Sequence, residues 1–100
     1  MKKNECIEAC FACIITCEGC INDCIKDGNQ KCISLCRDCA DICALCARLC
    51  ARDSQYSNEL CALCVKACKA CSEECSKHAS KHPSCKACAE ACKKCAEACA

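Results

Sequence analysis

Cysteine recurs along this chain in four runs, and within each run the step alternates strictly between three and four residues. The first run is Cys6, Cys10, Cys13, Cys17, Cys20 and Cys24, and the second is Cys32, Cys36, Cys39, Cys43, Cys46 and Cys50. The third is Cys61, Cys64, Cys68, Cys71 and Cys75, and the fourth is Cys85, Cys88, Cys92, Cys95 and Cys99. A mean step of about 3.5 residues keeps every member of a run on one stripe of an α-helix. A strand alternates its faces at every residue and would throw the same cysteines onto both sides. The repeat therefore predicts four helices, each with one cysteine face.

The interruptions agree with that division. Asp27-Gly28-Asn29 suits a helix C-cap followed by a turn. Asp53-Ser54 offers N-cap side chains, and Pro83 suits the first turn of the fourth helix. The expected helices lie near 3–26, 30–52, 54–80 and 83–99, within a single domain over 1–100. Short connections favour antiparallel neighbours, so the fold class expected is all-α: an antiparallel up-down-up-down four-helix bundle with a cysteine-lined core.

Apolar residues beside the stripes supply the seams. Ile7, Ile14 and Ile21 each follow a cysteine, whereas Leu35, Ile42 and Leu49 each precede one. Leu60, Leu63 and Val65 are assigned the same task on the third helix, and Ala89, Ala91, Ala96 and Ala98 on the fourth. Lys66, Lys69, Glu73, Glu90, Lys93 and Glu97 fall on the outer face. Phe11, Ile15 and Ile25 lie outside the first stripe and mark a partner surface.

Charge and hydropathy remove several classes of function. Fourteen basic and 13 acidic residues leave a net charge of +1, which gives no footprint for nucleic acid or membrane. No stretch is long and apolar enough to span a bilayer. Glu5 and Glu8 interrupt the apolar segment that a leader peptide would need after Lys2 and Lys3, so a cytoplasmic location is expected. Thiols stay reduced in that compartment, and dense cysteine there reads as metal binding.

Three other uses of 22 cysteines fare worse. As packing alone they bury less area than Leu or Ile, which are confined to the seams. A disulfide scaffold meets a geometric obstacle, since helical neighbours have Cβ atoms about 5–6 Å apart and a bridge needs about 3.5–4.5 Å. Bridges would have to run between helices. Redox catalysis by Cys-x2-Cys lacks its βαβ setting, and no catalytic triad, phosphate loop or paired carboxylate is present, so no enzyme activity is expected.

Thiolate-only surroundings select Cu(I), Zn(II) or iron–sulfur clusters. Zinc would form about five four-cysteine sites, each a buried dianion. Tetrahedral zinc also needs four donors converging from different helices, whereas Cys-x3-Cys already supplies the two donors of a linear ion. Cu(I) shared between bridging thiolates cancels one charge per cysteine and leaves the core neutral. Iron–sulfur spacings ending in Cys-Pro are absent from the sequence. The reading is multiple Cu(I) ions, on the order of 20 per chain, in a storage or sequestration protein. The alternative is metallothionein-like zinc or general heavy-metal detoxification.

The register, together with Cys39-Ala40-Asp41-Ile42-Cys43-Ala44-Leu45 and Glu59-Leu60-Cys61-Ala62-Leu63-Cys64, resembles the bacterial copper storage proteins of the cytosolic type. The stretch Cys68-Lys69-Ala70-Cys71-Ser72-Glu73-Glu74-Cys75-Ser76-Lys77-His78 is similar to the third helix of that family. The resemblance covers essentially the whole chain. It implies many Cu(I) ions per bundle, storage or sequestration as the role, and a homotetramer; a cytosolic copper donor or recipient protein is the expected partner.

Two histidines extend the third stripe beyond its last cysteine, in the order Cys75, His78, His82. As loop residues they need no special role. As ligands, neutral imidazoles at the open end of the bundle would accept copper and pass it inward. That end is expected to hold the Gly28 turn as well, with Met1 at the opposite one.

Overall fold

A computed structural model describes residues 3–100; Met1 and Lys2, the start of the leader argument, lie outside the described residues. Four helices account for most of it: α1 (Lys3–Asp27), α2 (Gln30–Ala51), α3 (Ser57–Ser76) and α4 (Pro83–Cys99). Each helix packs on two neighbours, in the cyclic order α1, α2, α3, α4. All four neighbouring pairs are antiparallel. Cys24 meets Cys32 and Cys85 at one end of the bundle, while Cys50 meets Cys61 at the other. The Cα trace measures 40 × 17 × 17 Å, so the bundle is one helix long and two helices thick.

The interior is narrow because cysteine is small. Diagonal helices do not touch through their backbones, yet their sulfurs meet on the axis. Cys20 reaches Cys75 at 3.7 Å and Cys39 reaches Cys92 at 3.9 Å across the two diagonals. All 22 cysteines are buried. Ile7, Ile14, Ile21, Ile33, Ile42, Leu60 and Val65 pack against that column from the seams, and Leu49 is buried outright. Each such aliphatic contributes roughly 1.5–3 kcal/mol when fully buried, so much of the apo fold's cohesion comes from the seams. Leu63 departs from its assigned place: it is exposed, whereas Leu60, which likewise precedes a cysteine, is partly buried.

The helix ends explain the topology. At the end of α1, Gly28 takes a left-handed φ of 69°, its N–H donates to Ile25 O and the Asn29 N–H donates to Cys24 O. This paired 5→2 and 6→1 pattern reverses the chain while satisfying two terminal carbonyls. The end of α2 repeats it without glycine: Asp53 has φ 55°, its N–H donates to Cys50 O and the Ser54 N–H donates to Leu49 O. Pro83 opens α4 at its first turn, where no backbone donor is needed.

The third helix is shorter at both ends than the expected 54–80. Ser54 does not cap it. Its carbonyl instead accepts the Ser57 hydroxyl at 2.8 Å, its own hydroxyl accepts the Tyr56 N–H, and the helix starts at Ser57. Beyond Ser76 the chain tightens into turns, with Lys77, His78 and Ala79 donating to carbonyls three residues back. The run from Ser76 to His82 has only the small Ala79 among polar residues, so little packing energy sustains another helical turn.

The left-handed Asp53 is the strained position of this fold. Asp53→Gly should match or exceed wild-type stability, whereas Asp53→Val should cost about 1–2 kcal/mol. Denaturant midpoints followed by helical circular dichroism would check both.

Candidate metal centre

The heptad spacing converts directly into sulfur geometry. Cysteines four apart hold Sγ atoms 3.9 Å apart in Cys13/Cys17, Cys39/Cys43, Cys64/Cys68, Cys71/Cys75 and Cys88/Cys92. Shorter contacts bridge helices: 3.3 Å for Cys13/Cys92, 3.2 Å for Cys20/Cys85 and 3.6 Å for Cys39/Cys68. Contacts of 4.0 Å or less gather the sulfurs into successive groups stacked along one buried core: Cys20, Cys24, Cys32, Cys75 and Cys85 at one end, those around Cys13, Cys39 and Cys64 in the middle, and Cys6, Cys46, Cys50 and Cys61 at the other.

Within the column, sets of four sulfurs lie within 4.8 Å of one another. Examples are Cys13, Cys39, Cys43 and Cys68, and Cys13, Cys17, Cys39 and Cys92. This corrects one expectation: four donors do converge, each set drawing on three helices. A tetrahedral Zn–S length of about 2.3 Å implies sulfur edges of about 3.8 Å, so distance alone does not discriminate against zinc. Sharing does. Cys13 and Cys39 belong to both sets, as suits bridging thiolates and not isolated four-coordinate sites.

Cys6 and Cys99 depart from the free-thiol set. They form a disulfide, with Cα atoms 4.9 Å apart, and the other 20 cysteines are free. The sequence reading expected all 22 as thiols. The bridge arises because α1 begins where its antiparallel neighbour α4 ends, which brings two stripes together across helices. In this form those two sulfurs are withdrawn from any ligand set until reduced.

Burial governs protonation. Loss of water pushes the thiols of Cys24, Cys46, Cys61 and Cys85 up from their ordinary value, and that of Cys32 to about 11. Hydrogen bonds from Cys36 and Cys75 hold Cys20 down to about 6. Most of the mouth cluster therefore carries protons at neutral pH around one thiolate-prone member, Cys20.

The polar side chains gather at the Gly28 end. His78 sits beyond α3, its ring against Asn29 and Glu74. His82 caps the start of α4 in extended conformation and pairs with Asp27 at the end of α1, whose carboxyl it holds below the usual range. The Ser84 hydroxyl donates to Asp23 nearby. One histidine thus ties α3 to α2, and the other ties α4 to α1. The sequence reading identified the histidines and missed their partners Glu74, Asn29 and Asp27. Glu74 precedes Cys75 and was readable only as one more helix-surface acid.

A family model described as copper storage protein matches residues 1–100. The chain belongs to the copper storage protein family. Among relatives, an uncharacterized cysteine-rich protein YhjQ of Bacillus subtilis (strain 168) is 47% identical over 88 residues, which cover 84% of this chain and 80% of that one. The structure of the Cu(I)-bound copper storage protein BsCsp3 is 45% identical with a TM-score of 0.90, covering 98% of this chain and 95% of that one. A cytosolic copper storage protein from Streptomyces lividans, in a structure of copper loading with five coppers, is 35% identical with a TM-score of 0.91. The match covers 97% of this chain and 88% of that one. A copper storage fold is thus built here on a buried core of stacked sulfur groups with one polar end.

Protons must leave as metal enters. Thiols raised by burial are still protonated where the unfolded chain, near its ordinary cysteine value, begins to ionise. The unfolded state then binds fewer protons, so stability of the metal-free form should fall as pH rises above about 8.5. By the same logic Cu(I) loading should release about one proton per ion, and apparent affinity should weaken in acid. Thermal midpoints between neutral and alkaline pH, and indicator-dye titration in weak buffer, read the two effects.

Proposed function

We propose that this chain is a cytosolic copper store that holds on the order of 20 Cu(I) ions on its core thiolates, about one per cysteine. The observation that carries the reading is the sharing of sulfurs between overlapping sets of four along one buried column. A bridging thiolate serves two ions, and a one-to-one ratio leaves the interior without net charge. The Cu(I)-bound and copper-loaded states of the relatives support the cargo, and the name of the Streptomyces protein supports the compartment. The ligands are the cysteines named above, with His78 and His82 as entrance ligands. The chemistry is ligand exchange, with no catalytic step.

Anaerobic titration of the fully reduced protein with Cu(I), with metal and thiols counted together, tests this. Saturation near 20 ions is expected, with about two fewer when the Cys6–Cys99 bridge is left intact. Saturation near five would support separate four-cysteine zinc-like sites, the alternative that the sulfur distances also accommodate.

Self-association belongs to the same reading. Phe11 is 57% exposed and Ile15 73%, one turn apart on α1, with Ile25 at 61% further along the helix. A second copy of the chain covering this face, toward a homotetramer, removes apolar surface that otherwise meets water. Phe11→Glu with Ile15→Glu should shift the protein to smaller species in size-exclusion with light scattering while leaving copper capacity unchanged. An unaltered profile would place the interface elsewhere.

A further inference from the structure

Glu74 stands where a helix least favours an acid. It lies in the last turn of α3, beside the negative end of the helix dipole, and is only 6% exposed. It is the one buried ionisable residue besides cysteine among the described residues. Burying a carboxylate there costs free energy unless its partners compensate. Lys77 at 3.5 Å and Lys31 at 3.7 Å reach it from partly exposed positions, and His78 donates to it at 2.8 Å. The His78 contact is the largest cause of the lowering of its carboxyl below the ordinary range.

That contact decides the state of the imidazole. An ionised carboxylate only accepts hydrogen bonds, so His78 Nε2 carries the hydrogen and Nδ1 keeps a lone pair. Asn29 Nδ2 donates to Nδ1 at 3.2 Å, and Asn29 is oriented by its Oδ1, which accepts from the Cys32 N–H at 3.4 Å. The same amide nitrogen lies 2.7 Å from Nε2, where two donors confront each other. Asn29 is therefore the weak partner of the ring and Glu74 the firm one. Displacing Asn29 frees a lone pair at the end of the bundle where Cys24, Cys32 and Cys85 meet, without disturbing the bond to Glu74.

We propose that Glu74 is a positioning residue for copper entry: its carboxylate fixes the hydrogen of His78 on Nε2 and so presents Nδ1 to an incoming Cu(I). Carboxylates that hold the second nitrogen of a ligating histidine set both its tautomer and its basicity. This inference rests on the proposed role of His78 as an entrance ligand. His82 has no equivalent arrangement, because its partner Asp27 is about half exposed and comes from another helix. The two histidines are thus unequal, and His78 is the one held ready.

Transfer of Cu(I) from its bicinchoninate complex to the reduced protein, followed by loss of the chelate colour, tests the proposal in four proteins. These are wild type, His78→Ala, Glu74→Gln and the double variant. His78→Ala and Glu74→Gln should each slow the first phase by about tenfold, and the double variant should be no slower than His78→Ala alone. Glu74→Asp keeps the charge but retracts it by one methylene, and should behave like Glu74→Gln; it serves if the glutamine variant folds poorly. Nitrogen-15 spectra of the imidazole should show Nε2–H in the wild type and a tautomer mixture in Glu74→Gln. A normal rate in His78→Ala would overturn the entrance-ligand reading. A slow His78→Ala beside a normal or fully additive Glu74→Gln would overturn this inference alone, as would an Nδ1–H tautomer in the wild type.

Discussion

A bundle core made of ionisable thiols has to remain neutral, because an uncompensated charge in a dry interior is far more expensive than the whole net stability of a domain. In the metal-free chain protons supply the neutrality, and burial helps by pushing Cys24, Cys46, Cys61 and Cys85 further toward their protonated form. A monovalent soft cation can then replace each proton without changing the charge of the core. A divalent ion in a four-thiolate site cannot, because every such site would add two negative charges to the same narrow column. Distances permit either geometry; electrostatics selects one.

Small side chains let that exchange happen inside a packed protein. With leucine on the stripe, diagonal helices would be held apart by a filled hydrocarbon core. With cysteine, Sγ atoms from all four helices approach to within 3.2–4.0 Å around the axis, for instance Cys20/Cys85 and Cys6/Cys46. Cohesion moves outward to Leu49 and the isoleucines of α1 and α2, so metal chemistry and packing occupy adjacent stripes of the same helices. Each heptad can therefore be read twice, once for donors and once for seams.

This separation explains what could be read from the chain alone. The cysteine faces, the glycine turn at Gly28 and the proline start at Pro83 are local features, set by helical period and backbone preference, and they were legible. The limits of α3 were not, since Ser54 chose a turn with Ser57 over capping the helix and the run after Ser76 lacked a large apolar anchor. Leu63 was misassigned because it precedes Cys64 just as the partly buried Leu60 precedes Cys61, and only the neighbouring helices decide which of the two is covered. The Cys6–Cys99 bridge, the convergence of four sulfurs and the pairing of His78 with Glu74 all join residues brought together by folding. Spacing reports which face a residue occupies, but not what stands opposite.

The two ends of the bundle differ in the links that join their helices. Both the Gly28 and the Asp53 reversals are closed by the same pair of backbone hydrogen bonds, and the Asp53 end adds the buried Ser57 hydroxyl bonded to the Leu49 carbonyl, the Lys3–Asp53 ion pair and the Cys6–Cys99 bridge. At the Gly28 end the helices are joined through side chains: Asp27 with His82, Asp23 with Ser84, and Asn29 and Glu74 with His78. What separates the ends is the covalent bridge, which ties α1 to α4 at the Asp53 end, where the Gly28 end has only polar side chains that can change rotamer. Under the proposed entry at the histidine end, the first sulfur group includes Cys20, the thiol held down to about 6 among neighbours that retain their protons. Cys20 lies within 3.8 Å of Cys24, Cys32, Cys75 and Cys85, so a monovalent ion held there has four sulfurs from all four helices within bridging reach.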